Sequence, residues 1–550
     1  MPLRRTQRVP LPIPTTASRA IIGVLLRQLV IDMKLSLRSL PALLGLLLPA
    51  APGLYAAESP KLVLAVVIDQ FRYDYLTRFR GDYHAGLARL LNEGMVFTNA
   101  HHIHFPTVTA VGHSTFLSGA TPSVSGIIGN EWYEPEHGTV TSVMDGSEKL
   151  LGGVPGAKGS SPRRMLVSTL GDELKMAGKD SRIIGISIKD RSAILPAGHM
   201  ADAAWWFDPD TNHFVTSTYY MKELPEWVAG INADRPIYKY LGVEWFPVDA
   251  ESGAKAFCSM AAGGDLPFCG SIEATPFGNE LLEDFAERAI ESEDLGKHQG
   301  TDILTLSFSA NDYAGHALGP DAPQIRDISI RTDRLLGKLM DFIDARIGKG
   351  NTLVVLTADH GVAPIPEVNN QRKMPGGRLD AAKCSHAIAD ALTAKFGKRD
   401  WFAADAGGFL HLNPKTIASL NAAEVRRVAA EAARKLPHIA RVFTRDELQR
   451  GEGTSDPVGH AVLLGFYGPR WGDLVLLPEP YYIFGDTGTT HSTPYDYDTH
   501  VPIIFFGAGI RAGVDYGSVA VNDIAPTLAA LLEVETPSGS SGRILSQIFK

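Results

Sequence analysis

The chain has 550 residues, 45% of them hydrophobic and 21% charged, with a formal net charge of −9 and three cysteines. That is globular composition, with room for one large domain carrying insertions or for two or three domains. The first 57 residues hold seven Lys/Arg against one acid, a net of +6, so the rest of the chain moves from −9 to −15, which argues against nucleic acid or an anionic membrane as a main partner.

In chain order, residues 33–59, MKLSLRSLPALLGLLLPAAPGLYAAES, come first. A basic start, an apolar run over 40–48 and small residues at Ala56 and Ala57 have the layout of a cleavable secretory signal. The signal starts at Met33, which leaves residues 1–32 as an upstream extension or a longer leader. The expected organisation is leader and signal over 1–57 and one catalytic domain over 58–550, in a periplasmic or secreted protein. No later segment offers about 18 uninterrupted apolar residues, so no stable membrane span is expected after signal removal.

Residues 61–69, KLVLAVVID, form a continuous β-branched apolar run, as expected of a strand buried on both faces. A helical pattern follows over 76–94, then a short strand at 95–100. Similar apolar runs return at 182–188, 302–309, 352–359 and 500–507. A long amphipathic helix is expected over 324–348, and another over 522–534 with an Asn-Asp start. Strands alternating with helices imply an α/β fold with a mostly parallel sheet and helices on both faces. Segments 199–280 and 365–485 break the rhythm and are expected to lie over the sheet as cap-like insertions. Cys258 and Cys269 flank a short Gly-rich loop and are the expected disulfide, leaving Cys384 unpaired; two unpaired thiols are the alternative.

Polar residues collect where the apolar runs end, the edge at which open α/β sheets bind ligands. Asp69 ends the first run. Asp312 and His316 follow the run at 302–309 at helical i, i+4 spacing, Asp359 and His360 end the run at 352–359, and His491 precedes the run at 500–507. Three Asp and three His at one edge form a mixed N/O donor set large enough for two divalent ions, with Zn²⁺ favoured by ligand type. Residues 104–130, HFPTVTAVGHSTFLSGATPSVSGIIGN, supply hydroxyls beside this edge. Thr109 lies just before the expected helix and Gly119 ends it. Thr107 should be extended after Pro106, while Ser114 and Thr115 fall inside the helix, where hydroxyls tend to bond the preceding turn.

The pattern P-T-x-T-x-x-x-H followed by G-x-x-P-x-x-x-G-I-I-x-N resembles the alkaline phosphatase superfamily, in the branch shared with type I phosphodiesterases and nucleotide pyrophosphatases. The resemblance runs from residue 61 to the C-terminal helix. It implies an alkaline phosphatase-like fold with Thr109 as nucleophile and Asn130 as ligand to a phosphoryl oxygen. One Zn²⁺ would be held by Asp312, His316 and His491, and a second by Asp69, Asp359 and His360 with Thr109 completing its shell. Residues 187–191, SIKDR, are similar to the Lys and Arg of Thr-nucleophile bacterial alkaline phosphatases. If the chain stays extended there, Lys189 and Arg191 point to one side, where a dianionic monoester gains more from two cations than a diester does.

The resulting expectation is a zinc-dependent phosphate monoester hydrolase with a phosphothreonine intermediate, acting on small phosphate esters with a solvent-facing leaving group. A phosphodiesterase on the same metal site is the main alternative, and a non-catalytic zinc-binding protein the remote one. Ser160–Arg164, SSPRR, fits the S-x-P-x-R frame of sulfatases but falls too late in the chain. His101, His102, His104, His113 and His500 are expected to be structural, and Trp132, Tyr133, Trp205 and Trp206 either line an entrance or pack the core.

Overall fold

The computed structural model describes residues 59–549, apart from 264, 265, 407, 453 and 454. The leader expected over 1–57 lies outside the described residues.

An eleven-stranded sheet organises the molecule. In chain order its strands are β1 (Leu62–Ile68), β2 (Met95–His101), β3 (Met144–Leu151), β4 (Lys158–Ser160), β5 (Ile183–Ser187), β6 (Ala203–Asp208), β7 (His213–Ser217), β8 (Asp302–Phe308), β9 (Thr352–Thr357), β10 (Ile503–Gly507) and β11 (Gly513–Ala520). They lie in the order β11-β2-β10-β9-β1-β8-β5-β6-β7-β3-β4. All seven residues of β1, LVLAVVI, are buried, and β1 pairs in parallel with β8 on one side and β9 on the other. A strand hydrogen-bonded on both edges and covered on both faces has no use for alternating polarity, which is why its sequence reads as an unbroken apolar run.

The parallel arrangement holds across β9-β1-β8-β5-β6 and again between β2 and β11. β10 lies antiparallel between β9 and β2, and β7, β3 and β4 extend the far side in antiparallel fashion. The segment 199–280 therefore begins inside the sheet, because β6 and β7 form a hairpin between β5 and β3, and the chain leaves the sheet only at residue 218. Further on, Cys258 and Cys269 are disulfide-bonded, while Cys384 is buried and unpaired.

Segment 365–485 carries its own four-stranded sheet, Phe402–Ala406, Phe409–Leu412, Leu474–Pro478 and Ile439–Thr444 in spatial order. Helices Ala381–Phe396 and Ala422–Ala433 pack on it around a small core that includes Ile388, Leu392, Trp401 and Val425.

Two expected helices differ from the sequence reading. The pattern over 76–94 breaks into Asp74–Arg78, a short turn and Gly86–Glu93. The break falls where Asp333, on the long helix Pro323–Ile347, accepts the backbone N–H groups of His84, Ala85, Leu87 and Ala88. The C-terminal helix starts at Ile524, since Asp523 turns back to accept the N–H of Ala520 instead of capping it.

Register explains why distant residues meet. Ile68 pairs with Phe308 and Ser187 with Ser307, so β1, β5 and β8 end level with one another. β9 ends at Thr357 on the same edge, opposite Ile503 at the start of the antiparallel β10. The chain ahead of β10, which holds His491, is thereby delivered to the carboxyl edge of the parallel strands.

Candidate active site

Helix α1 (Thr109–Ser118) is buried along its whole length, and Thr109 is its first residue, one position earlier than the sequence suggested. Val108 before it is extended, with φ −134° and ψ 160°, and supplies no capping side chain. Asn130 caps the helix instead, its Oδ1 accepting the N–H of Ala110 at 2.8 Å. With Oδ1 committed, Asn130 presents its Nδ2 donors beside Thr109. Gly112 lets the helix press against the metal-type ligands, because a Cβ there would sit 2.1 Å from the carbonyl oxygen of Asp359.

The competing hydroxyls are engaged elsewhere. Thr107 Oγ1 donates to the Thr493 carbonyl, Ser114 Oγ to Val111 in the preceding turn, and Thr115 Oγ1 forward to Ala120. Thr109 is 2% exposed, and its Oγ1 makes no hydrogen bond among the described residues.

The carboxylates and imidazoles converge beside it. Donor atoms of Asp312, His316 and His491 all lie within 4.8 Å of one another, as do those of Asp69, Asp312 and His360. His360 Nε2 is 3.4 Å from Asp359 Oδ2 and 3.6 Å from Asp69 Oδ1. Each of the three histidines is oriented by a backbone carbonyl: His316 Nδ1 donates to Thr489, His360 Nδ1 to Gly361 and His491 Nδ1 to Thr107. A carbonyl only accepts, so Nδ1 carries the proton and Nε2 keeps a lone pair aimed into the cluster, the arrangement a metal-binding histidine needs.

The donor set fits a bound metal ion on a further count. Asp69 Oδ1, Asp359 Oδ2 and His360 Nε2 are buried polar atoms with no hydrogen-bond partner among the described residues. Buried acceptors left unpaired are costly unless something electropositive binds them. They belong to the three residues expected to share one metal.

The local electrostatics agree. Burial, reinforced by Asp312 and Asp359, pushes the Asp69 carboxyl well above the usual carboxylate range. Burial also opposes ionised Asp312, but Lys189 and His316 hold it well below that range. Burial is the main cause that lowers His360 and His491, keeping both rings neutral.

Helix α2 (Asp190–Ala197) interrupts the extended chain expected at 187–191, with Lys189 just ahead of it at φ −89° and ψ 134°. Lys189 and Arg191 therefore diverge. The Lys189 ammonium sits 2.5 Å from Asp69 Oδ2 and 2.5 Å from Asp312 Oδ2, inside the carboxylate cluster. Arg191 instead lines a cavity of about 690 Å³, together with Asn130, Val108, Trp132, Tyr133 and Phe409.

Several residues stand apart from this site. Trp205 and Trp206 lie on β6 in the core. His102 donates to the Ala358 carbonyl, and His500 stacks on His101 and Tyr73. In the SSPRR stretch, Ser161 and Arg163 bond Asp145 while Arg164 pairs with Glu134.

Gln70 was not singled out by sequence reasoning. It is buried at φ 60°, its N–H donates to Asp359 Oδ1, and its Nε2 donates to Asp312 Oδ1 at 2.7 Å. It thus clamps a carboxylate from each expected metal position. Its one sequence signal is adjacency to Asp69.

Residues 63–501 match the family model described as type I phosphodiesterase / nucleotide pyrophosphatase. The chain belongs to that family. Within it, the chain is 35% identical to alkaline phosphatase PafA of Elizabethkingia meningoseptica over 524 residues, covering 90% of this chain and 95% of PafA. It is 36% identical over 523 residues to a Myroides odoratus protein named calcium-transporting ATPase, with the same coverage. The crystal structure of wild-type PafA superposes with a TM-score of 0.83 at 33% identity, over 90% of this chain and 99% of that one. A second PafA structure is of a variant altered together at one Thr, one Asn, one Lys and one Arg.

Proposed function

We propose that this protein is an exported phosphate monoester hydrolase, an alkaline phosphatase that works through a phosphothreonine at Thr109. The observation that carries the reading is the placement of an uncommitted Thr109 hydroxyl at a helix start, between the Asn130 amide, the Arg191 guanidinium and a buried Asp/His cluster. Similarity to PafA supports it, as does the match between the four residue types altered in the PafA variant and Thr109, Asn130, Lys189 and Arg191.

Two Zn²⁺ ions, one held by Asp312, His316 and His491 and the other by Asp69, Asp359 and His360, would supply Lewis acidity that eases ionisation of the Thr109 hydroxyl and neutralises the leaving oxygen. Thr109 Oγ attacks phosphorus and the alcohol departs. Water then cleaves the phosphothreonine and restores the hydroxyl. Asn130 Nδ2, Arg191 and the first N–H groups of α1 hold the equatorial oxygens, and the Lys189 ammonium completes the charge around the transferred group. The charged leader and apolar run over 1–57 support export, to the periplasm or beyond.

A diesterase reading is favoured by one feature, the apolar portion of the cavity at Val108, Ile128 and Phe409, which could receive a second ester group. Hydrolysis of p-nitrophenyl phosphate against bis-p-nitrophenyl phosphate separates the two. We expect a strong monoester preference, a loss of roughly 10³-fold in Thr109→Ala, and a fall of about 10²-fold in Lys189→Ala/Arg191→Ala. A diester preference indifferent to Lys189 and Arg191 would make the protein a phosphodiesterase. Zinc content without any hydrolysis would make it a binding protein.

A further inference from the structure

The chain between His491 and β10 is held from two sides. On one side stands Asp498, fully buried, whose Oδ2 accepts both the Thr493 N–H at 2.8 Å and the Thr493 hydroxyl at 2.6 Å. The carbonyl of Asp498 accepts the Gly361 N–H at 2.7 Å, and the carbonyls of Tyr497 and Thr490 accept the N–H groups of Val362 and Ala363. Gly361 allows this approach, since a Cβ there would sit 2.2 Å from the Tyr497 carbonyl oxygen. The turn that holds His491 is thereby fastened to the segment that carries Asp359 and His360.

Thr107 holds the other side by two buried bonds at once. Its Oγ1 donates to the Thr493 carbonyl at 2.9 Å, and its own carbonyl accepts from His491 Nδ1 at 2.7 Å. Between the two points of attachment lies Ser492 at φ 91°. A residue with a side chain keeps such a backbone only where its surroundings over-determine it. Here the bonds from Thr107 grip the residues immediately before and after it. Thr107 also lies two residues ahead of Thr109, with Val108 extended between them. One residue therefore sets both the orientation of a metal-type imidazole and the entry of the chain that carries the hydroxyl.

We infer that Thr107 is a positioning residue whose paired hydrogen bonds hold the strained 491–493 turn, and with it the His491 ring, in place against Thr109. The inference rests on the zinc-dependent monoesterase reading above and adds to it a residue that acts only through others. The hydroxyl is the deciding group. Without it the Thr493 carbonyl loses its partner, Ser492 relaxes toward ordinary backbone angles, and the imidazole attached beside it turns.

The test compares Thr107→Val, which keeps the side-chain shape and removes the hydroxyl, with Thr107→Ser, which keeps the hydroxyl. We expect Thr107→Val to release one of its two zinc ions at about tenfold lower chelator concentration than the wild type. Its kcat on p-nitrophenyl phosphate should fall by about 10- to 100-fold. KM should move by less than about twofold, because Asn130 and Arg191 are not attached to this turn. Thr107→Ser should restore zinc retention and kcat. Ser492→Gly added to Thr107→Val should recover part of both, since glycine takes a positive φ without strain. That double variant also serves if Thr107→Val alone does not fold, in which case it should fold and retain zinc. A folded Thr107→Val with wild-type zinc retention and kcat would overturn the inference. An equal deficit in Thr107→Ser would overturn it too, by assigning the effect to packing of the methyl group. A wild type that binds no zinc, or hydrolyses no monoester, would instead overturn the reading on which the inference rests.

Discussion

At the scale of single residues, the site depends on small groups that fix larger ones. Asn130 illustrates this, because its oxygen holds the start of α1 while its amide nitrogen is the group that binds phosphate in the proposed reaction. Gln70 does the same for the metal-type ligands by donating to Asp359 and Asp312 at once. Ligand carboxylates that lose such support rotate, and outer partners of this kind are commonly worth about 10- to 100-fold in metal affinity. Gln70→Ala is therefore expected to weaken divalent cation binding by roughly tenfold, read as the chelator concentration that strips half the metal. Unchanged retention would show that the two carboxylates are held without it. Gly315 belongs to the same arrangement, since a Cβ there would lie 1.9 Å from Gln70 Oε1.

At the scale of elements, α1 is a positioned part rather than a stable helix in its own right. All ten of its residues are buried, so its place is fixed by what surrounds it. Gly112 sets the approach of this helix to the chain that carries Asp359 and His360. Gly112→Ala should push α1 away, moving Thr109 from the Asp/His cluster. We expect at least about 10²-fold lower kcat, because displacements near 1 Å at a reacting atom cost that much. Overpacking should add about 2 kcal/mol of destabilisation, measured by denaturant unfolding. Wild-type turnover in a folded Gly112→Ala variant would contradict this account. The sequence announced α1 through its apolar residues and Gly119, yet gave no sign of what Gly112 does, because the clash it avoids is with a residue 247 positions away.

At the scale of the whole molecule, burial of histidine sets the response to acid. His102 is pushed down to about 4 by burial, and His104, His360 and His491 are lowered for the same reason. In the unfolded chain such rings titrate near 6.5, so below that pH the unfolded state binds protons that the folded state refuses. The contribution of these rings is then full above about pH 6.5 and falls as the pH drops toward 4, by about 1.4 kcal/mol per unit for a ring that stays uncharged in the folded state. Denaturant unfolding of the metal-free protein at pH 7.5, 6, 5 and 4.5 should show this decline, and replacing His102 by Gln should make it shallower. A flat profile would mean that these rings already charge in the folded state. Among the described residues, no helix is long and apolar enough to cross a membrane.

Much of this was settled by local pattern. Unbroken apolar runs marked β1, β8 and β9, with Asp69 and the Asp359-His360 pair just past two of them and Asp312 and His316 in the helix after the third, since strands buried on both faces tolerate polarity only where they leave the sheet. The disulfide was legible from the Gly-rich spacing of Cys258 and Cys269. Tertiary structure alone decided the rest. The antiparallel approach of β10 brings His491 to the cluster, a matter of register that no periodicity encodes. The turn into α2 at Asp190 sends Lys189 into the carboxylates and Arg191 into the cavity, where an extended chain would have placed them together. Local sequence determines which groups a strand end offers, because burial constrains residue type locally. Where those groups point depends on partners hundreds of residues away, and only the folded packing selects among the directions open to them.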